Sequence, residues 1–272
     1  MNPTAMNRLR PLMRGALVAL VAALAVPVVL PAPAARAQDA TLSDNKPKFG
    51  PDAAPITQDR DYLRRAEAPD FWALMPYYVP QQTGSACSVA SVAMMINALR
   101  GLPTSSTERL VTQNRVLNEV DDDVWKAAVG ENGDGVSFAD FETYVRRSVA
   151  AFGMDAEVEV FRPKDSSPET LAELRRILTE NERSSRDIIL LAYDQGTLTG
   201  DATVGHIAPL GAYDPQSRRV LVMDVDRLWY VPYWSSDEKL LEAMVKPDRS
   251  DPTGSGMIRV RLRGGIAERT TP

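Results

Sequence analysis

Apolar positions change their spacing several times along the chain, and each spacing predicts a different element. Gly15 to Leu30 is a nearly unbroken apolar run. Residues 38 to about 66 are rich in Pro, Asp, Lys and Ala with no sustained period, which predicts a flexible leader over the surface. The folded part is expected to begin near Asp70-Phe-Trp-Ala-Leu-Met. Ser88 to Leu99 is apolar on nearly every side, the profile of a buried helix, and Gly101-Leu-Pro103 ends it. The charged stretch from Thr104 to Lys126 reads as surface helix and loop, and Asn132-Gly-Asp-Gly135 as a turn. Ser137, with Asp140 three positions on, opens a helix whose stripe is Phe138, Phe141, Val145, Val149 and Phe152. A strand near Ala156 to Phe161 precedes a second amphipathic helix, started by Ser167-Pro168 and built on Leu171, Leu174, Ile177 and Leu178. Thereafter β patterns dominate: Ile188 to Tyr193, Val204 to Tyr213, Arg219 to Val225 and Met257 to Leu262, with Asp214 to Ser217 as a hairpin turn. Helices followed by an antiparallel sheet predict an α+β domain, with no internal repeat.

Composition narrows the classes. Arg8, Arg10 and Arg14, the apolar run and the small-residue exit Ala35-Arg-Ala37 have the three parts of a cleavable signal peptide over residues 1–37. Pro27 interrupts the run and no basic flank follows it, which argues against a retained anchor; the mature protein is expected in the periplasm or secreted. Residues 38–66 would be the leader and 67–272 one domain. The segment removed carries four arginines and no acids, so the formal charge falls from −5 to −9. Such a chain lacks the basic footprint of a nucleic-acid binder and any basic amphipathic stretch for a membrane surface. One cysteine excludes an internal disulfide, and no His/Cys cluster is present to hold structural zinc.

The chain has one cysteine and one histidine, and each opens a predicted element: Cys87 the buried helix and His206 the strand at Gly205. A thiol attacks a carbonyl as thiolate, and a neighbouring imidazole together with a helix N-terminus is the usual way to obtain one near neutral pH. A hairpin centred near residue 215 would set His206 opposite Asp224, so that the carboxylate accepts the Nδ1 hydrogen; a one-residue slip would separate them. Gln81, six residues before the cysteine, could donate its amide to an oxyanion, with an ordinary loop glutamine as the alternative. Glu131 to Gly135 lacks the twelve-residue ligand pattern of a calcium loop.

Helical Cys, then His, then Asp is the order of papain-like enzymes, and the local sequence resembles the phytochelatin synthase family within that group. The resemblance rests on Phe71-Trp-Ala-Leu-Met-Pro-Tyr-Tyr-Val-Pro-Gln81 through Cys87 to Asn97-Ala-Leu; Gly135-Val-Ser-Phe-Ala-Asp-Phe; Gly205-His-Ile-Ala-Pro-Leu-Gly-Ala-Tyr213; and Asp224-Val-Asp-Arg-Leu-Trp-Tyr-Val-Pro-Tyr-Trp234, continuing to Glu242-Ala-Met244. It implies a papain-like α+β fold with Cys87 as nucleophile, His206 as base and acid, Asp224 as orienter and Gln81 as oxyanion donor. It further implies attack on the Cys–Gly amide of glutathione or related γ-glutamyl thiol peptides, release of glycine and a γ-glutamylcysteinyl thioester. Arg227, with a structural ion pair as the alternative, Gly205 and Asp248 are the substrate-binding candidates, while Trp229, Tyr230, Tyr233 and Trp234 read as cleft wall and core. No tightly bound cofactor is expected, and with no His/Cys cluster to ligate a metal, heavy metal ions would arrive as substrate thiolates. Two departures weigh on the outcome: Ala86-Cys87-Ser88 replaces the usual Tyr-Cys-Gly, and Thr253-Gly-Ser-Gly256 replaces a basic stretch, which favours hydrolysis over peptide transfer. Metal-dependent phytochelatin synthesis and a non-catalytic thiol-peptide binder are the rival readings. No residue pattern sets an oligomeric state.

Overall fold

The computed structural model describes residues 47–248 and 250–263; the expected signal peptide, residues 1–37, lies outside the described residues, as do 38–46. In chain order the elements are β1 (Ala53–Pro55), α1 (Asp61–Arg65), α2 (Pro69–Leu74), a 3-10 turn (Met75–Tyr77), α3 (Cys87–Arg100), α4 (Gln113–Val120), α5 (Asp123–Ala128), α6 (Phe138–Ala151), β2 (Ala156–Phe161), α7 (Pro168–Asn181), β3 (Asp187–Asp194), α8 (Gln195–Thr199), β4 (Gly205–Asp214), β5 (Arg219–Val222), β6 (Tyr233–Ser236), α9 (Asp237–Val245) and β7 (Gly256–Leu262). The described strands form one seven-stranded sheet in the order β1-β6-β5-β4-β3-β7-β2, with antiparallel neighbours throughout. The molecule is therefore a mixed helix and antiparallel-sheet protein, in line with the α+β expectation.

The helices do not gather in one half. Along β3, Ile188, Leu190 and Ala192 join the core that holds Phe71, α3 and the Trp125, Phe141 and Val145 side chains. Ile189, Leu191 and Tyr193 join a second core with Leu174, Leu178, Leu198, Leu240 and Met244 of α7, α8 and α9. An antiparallel strand reads as a continuous apolar run only when both of its faces are covered, and here they are.

The stretch expected as a leader is ordered structure from residue 47 onward. β1 pairs with β6, and Tyr62 is buried, its hydroxyl donating to Glu182 at 2.8 Å and its ring edge-on to Trp234 at 5.8 Å. A three-residue strand and a five-residue helix are too short to carry a period, so only their tertiary partners reveal them.

The β4–β5 hairpin departs from the expected register in a way that matters for the site. Pairs Asp214↔Arg219 and Ala212↔Leu221 give way to Leu210↔Val222 across a bulge at Gly211. A side chain there would come within 2.8 Å of Met223, so the glycine lets the strands close. β5 ends at Val222, three residues earlier than expected, and Met223 N–H bonds Pro209 O at 2.9 Å as the chain leaves the ladder.

Candidate functional site

Cys87 is the first residue of α3, half-buried, and the preceding Ala86 has no side chain to cap the helix. The first-turn amides and the helix dipole are thus directed at the thiol region without competition from a capping oxygen. The helix start is held rigidly. Trp125, stacked on Tyr144 with centroids 4.5 Å apart, donates Nε1–H to Ser88 Oγ at 3.0 Å. The loop before it is pinned by Gln113, which donates to Pro80 O at 2.8 Å and accepts from Gln82 N–H at 3.1 Å. Thr83 Oγ1 donates to Val129 O at 2.7 Å, and Ser85 Oγ to Gly133 O.

Ser91, one turn into α3, has its hydroxyl 2.8 Å from Cys87 O and 3.2 Å from Ile207 O, which fastens the helix to β4 beside His206. His206 is buried, and its Nε2 lies 2.9 Å from Asp224 Oδ1. The expectation had the carboxylate on Nδ1 through direct cross-strand pairing. Instead Asp224 lies past the end of β5, level with Ala208 when the hairpin spacing is continued, and reaches His206 diagonally on the same face. With Nε2 engaged, Nδ1 is the nitrogen left for Cys87, whose side chain interacts with the ring. Burial opposes charging of this imidazole. The Asp224 charge and hydrogen bond, aided by Cys87, outweigh it and hold the His206 pKa well above the ordinary histidine range.

Asp224 is fully buried and well supplied with donors. Oδ1 also accepts the Asp226 N–H at 2.8 Å, and Oδ2 accepts Gln195 Nε2–H at 2.9 Å. Its backbone oxygen accepts the Tyr78 hydroxyl, and the Arg227 guanidinium lies over the Tyr78 ring at 4.5 Å. Behind the imidazole, the Tyr193 ring stands edge-on at 5.8 Å and its hydroxyl meets that of Tyr233 at 3.0 Å. Asp226 is half-buried; burial pushes its carboxyl up while the His206 charge pulls it down.

Gln81 is tied to the same region, its backbone N–H bonding Val225 O at 2.9 Å. Its amide nitrogen makes only a long contact, 3.4 Å to Gly84 O, and its Oε1 is buried without a hydrogen-bond partner. Gly205 and Asp248 are adjacent: a side chain at Gly205 would lie 3.0 Å from Asp248 Oδ2, so glycine keeps that approach open. Asp248 Oδ1 accepts from Ser250 N–H, Ser250 Oγ and Asp251 N–H at 2.7–2.8 Å, which fixes the carboxylate. Arg227 is exposed, as are Leu228 and Trp229 beside it, whereas Tyr230, Tyr233 and Trp234 are buried core. Of the aromatic residues expected as walls and core, Trp229 alone stays on the surface.

Sequence reasoning missed Gln195 and Tyr78. The Asp194-x-x-Thr197 cap, with Thr197 N–H on Asp194 Oδ1 at 2.7 Å, could have marked the start of α8, but nothing local marks Gln195 as a partner of Asp224. Among the described residues, no group of three or more His, Cys, Asp and Glu side chains is arranged to hold a metal ion. The helices described include none long and apolar enough to cross a membrane. Chemically, the arrangement can sustain a thiolate–imidazolium pair at a rigid helix start, backed by a buried carboxylate.

Residues 57–256 match the sequence model of a family described as phytochelatin synthase. The chain is 25% identical to glutathione gamma-glutamylcysteinyltransferase 1 of Arabidopsis thaliana over 73% of its own length and 38% of the relative's. It is 24% identical to glutathione gamma-glutamylcysteinyltransferase 2 of the same plant, over 73% of this chain and 41% of that one. With glutathione gamma-glutamylcysteinyltransferase 3 of Lotus japonicus the identity is 26%, over 66% and 35%. The chain thus spans roughly two fifths or less of the length of these relatives.

Proposed function

The chain belongs to the phytochelatin synthase family, and on that premise we propose that it is an exported cysteine acyltransferase of papain-like type that removes glycine from glutathione through a thioester on Cys87. The observation that carries this reading is the buried imidazole set between Asp224 Oδ1, at 2.9 Å, and the Cys87 side chain. The Cys87 thiolate attacks the carbonyl carbon of the Cys–Gly amide. The oxyanion is met by the Gln81 amide, which has no short hydrogen bond of its own, and by a first-turn N–H of α3. His206, charged and braced by Asp224, gives its Nδ1 proton to the departing glycine nitrogen, and the C–N bond breaks. His206 then takes a proton from water, whose oxygen attacks the thioester; the C–S bond breaks, freeing γ-glutamylcysteine and restoring the Cys87 thiolate beside a charged His206.

Arg227, exposed over Tyr78, and Asp248, fixed beside Gly205, supply one cation and one anion for the charged ends of a γ-glutamyl peptide. Transfer to a second peptide is the reading favoured by the relatives' names. Hydrolysis is favoured by the segment before β7, which carries no basic residue from Asp251 to Gly256. Mass spectrometry of the protein mixed with glutathione tests the proposal: free glycine and a γ-glutamylcysteinyl adduct on Cys87 support it. An unmodified protein with intact glutathione rejects it.

A further inference from the structure

We infer that Gln195 is a positioning residue, its side-chain amide locking the Asp224 carboxylate in the rotation that presents Oδ1 to His206 Nε2. The inference rests on the proposed roles of Cys87, His206 and Asp224. A carboxylate beyond the end of its strand has no ladder to fix it, and rotation about its last torsion is soft. Asp224 is nonetheless held from two sides: the Asp226 N–H takes Oδ1 at 2.8 Å, and Gln195 Nε2 takes Oδ2 at 2.9 Å. Tyr233 adds its hydroxyl toward the same carboxylate.

Gln195 is itself immobilised, which is what a positioning group requires. It is buried at 3% exposure, and its backbone N–H bonds Val204 O at 2.9 Å, immediately before the strand that carries His206. Its carbonyl accepts Thr199 Oγ1 at 2.8 Å, and Asp194 caps the helix it opens. The next residue, Gly196, packs so closely on Thr203 that a side chain would come within 2.9 Å of its backbone. A neutral amide suits the task. A lysine or arginine at this point would pair with Asp224 and compete for the charge that His206 needs.

The chain's single histidine gives the test a clean reporter. Full-length protein labelled with 15N-histidine shows one imidazole, whose titration and Nε2 proton are read by NMR without any substrate. Wild type should show a downfield Nε2–H and a ring still charged above the ordinary histidine range. Gln195→Met, close in size but without a donor, should lose the downfield proton and titrate about one pH unit lower. It should release glycine from glutathione with kcat reduced about 10-fold or more and KM within about 2-fold. Gln195→Asn, a methylene shorter, should behave in the same way, and either variant serves if the other does not fold by circular dichroism. A folded variant whose imidazole titrates as in wild type or higher, with kcat retained, overturns the inference, since the amide would then only temper the Asp224 charge or fill space. If wild type and variants differ by NMR as expected but none releases glycine, Gln195 still positions Asp224 and the proposed reaction is what fails.

Discussion

His206 and Asp224 meet without standing opposite each other: Nε2 and Oδ1 are 2.9 Å apart, although Asp224 has already left the sheet two residues beyond the end of β5. The contact is diagonal, created by the bulge at Gly211 and preserved by donors from Asp226 and Gln195. Asp224→Asn should therefore fold and lose about 10²- to 10⁴-fold in kcat, because an amide cannot balance the imidazolium as a carboxylate does. Asp224→Leu should also lose about 3–5 kcal/mol of stability by stranding its buried partners. Steady-state kinetics beside urea melts separate the two effects; an Asn variant with wild-type kcat would remove Asp224 from the mechanism.

Cys87→Ala should abolish glycine release and the acyl adduct, with stability within about 1 kcal/mol of wild type, since alanine suits the first turn of a helix. His206→Ala should retain Cys87 but lower turnover about 10²- to 10⁴-fold. Alkylation of Cys87 by iodoacetamide across pH distinguishes them: the His206 variant should react only as pH approaches the range of an ordinary thiol. Equal reactivity of wild type and His206→Ala at pH 6 would show that no thiolate–imidazolium pair forms.

Far along the sheet from this site lies a buried acidic group whose carboxyl pKa values are raised. Asp70 is fully buried and both carboxyl oxygens lack a donor; burial, then the charges of Asp187 and Glu182, push its pKa well up. Burial likewise lifts Glu182 from 4.5 to about 7, though it accepts from Tyr62 and from Tyr213 N–H. Folded-state values above the unfolded ones mean that the folded protein holds extra protons. The associated stability is complete below pH ~4.5 and is lost as pH rises to about 7 for Glu182, and further up for Asp70. The Glu182 share is about 3 kcal/mol. Urea midpoints should fall between pH 5 and pH 8, and Glu182→Gln should flatten that slope. A midpoint that rises over the same interval would contradict the account.

Product partitioning tests hydrolysis against transfer. The segment before β7 has no basic residue from Asp251 to Gly256, and Arg162, which reaches it, is spent on Gly254 O at 2.6 Å and Asp251 at 3.3 Å. A second γ-glutamyl peptide would bring carboxylates to a chain of net charge −5, with no cation between Asp251 and Gly256 to receive them. With millimolar glutathione, with and without cadmium, γ-glutamylcysteine should exceed longer peptides from the first minutes. Longer peptides in excess would place the transferase reading first.

Local patterns in the chain determined a large part of this protein. The 3.6-residue stripes gave α6 and α7 their places and the all-round apolar run that of α3, the Ser137 and Ser167 caps set two helix starts, and unbroken apolar runs marked β3 and β4. The lone cysteine and histidine, each at the head of an element, pointed to the site because few other groups in the chain could form a nucleophile and its base. What the sequence could not hold was every feature made by partners distant along the chain. β1 exists because β6 offers it an edge, and helices cover both sheet faces because two separate apolar sets alternate along strands such as β3 and β5. The diagonal meeting of His206 and Asp224 was decided by a one-residue bulge, and the rotation of that carboxylate by a glutamine 29 positions away. Register and side-chain rotation are set by close packing summed over many neighbours, and a local pattern contains only the nearest of them.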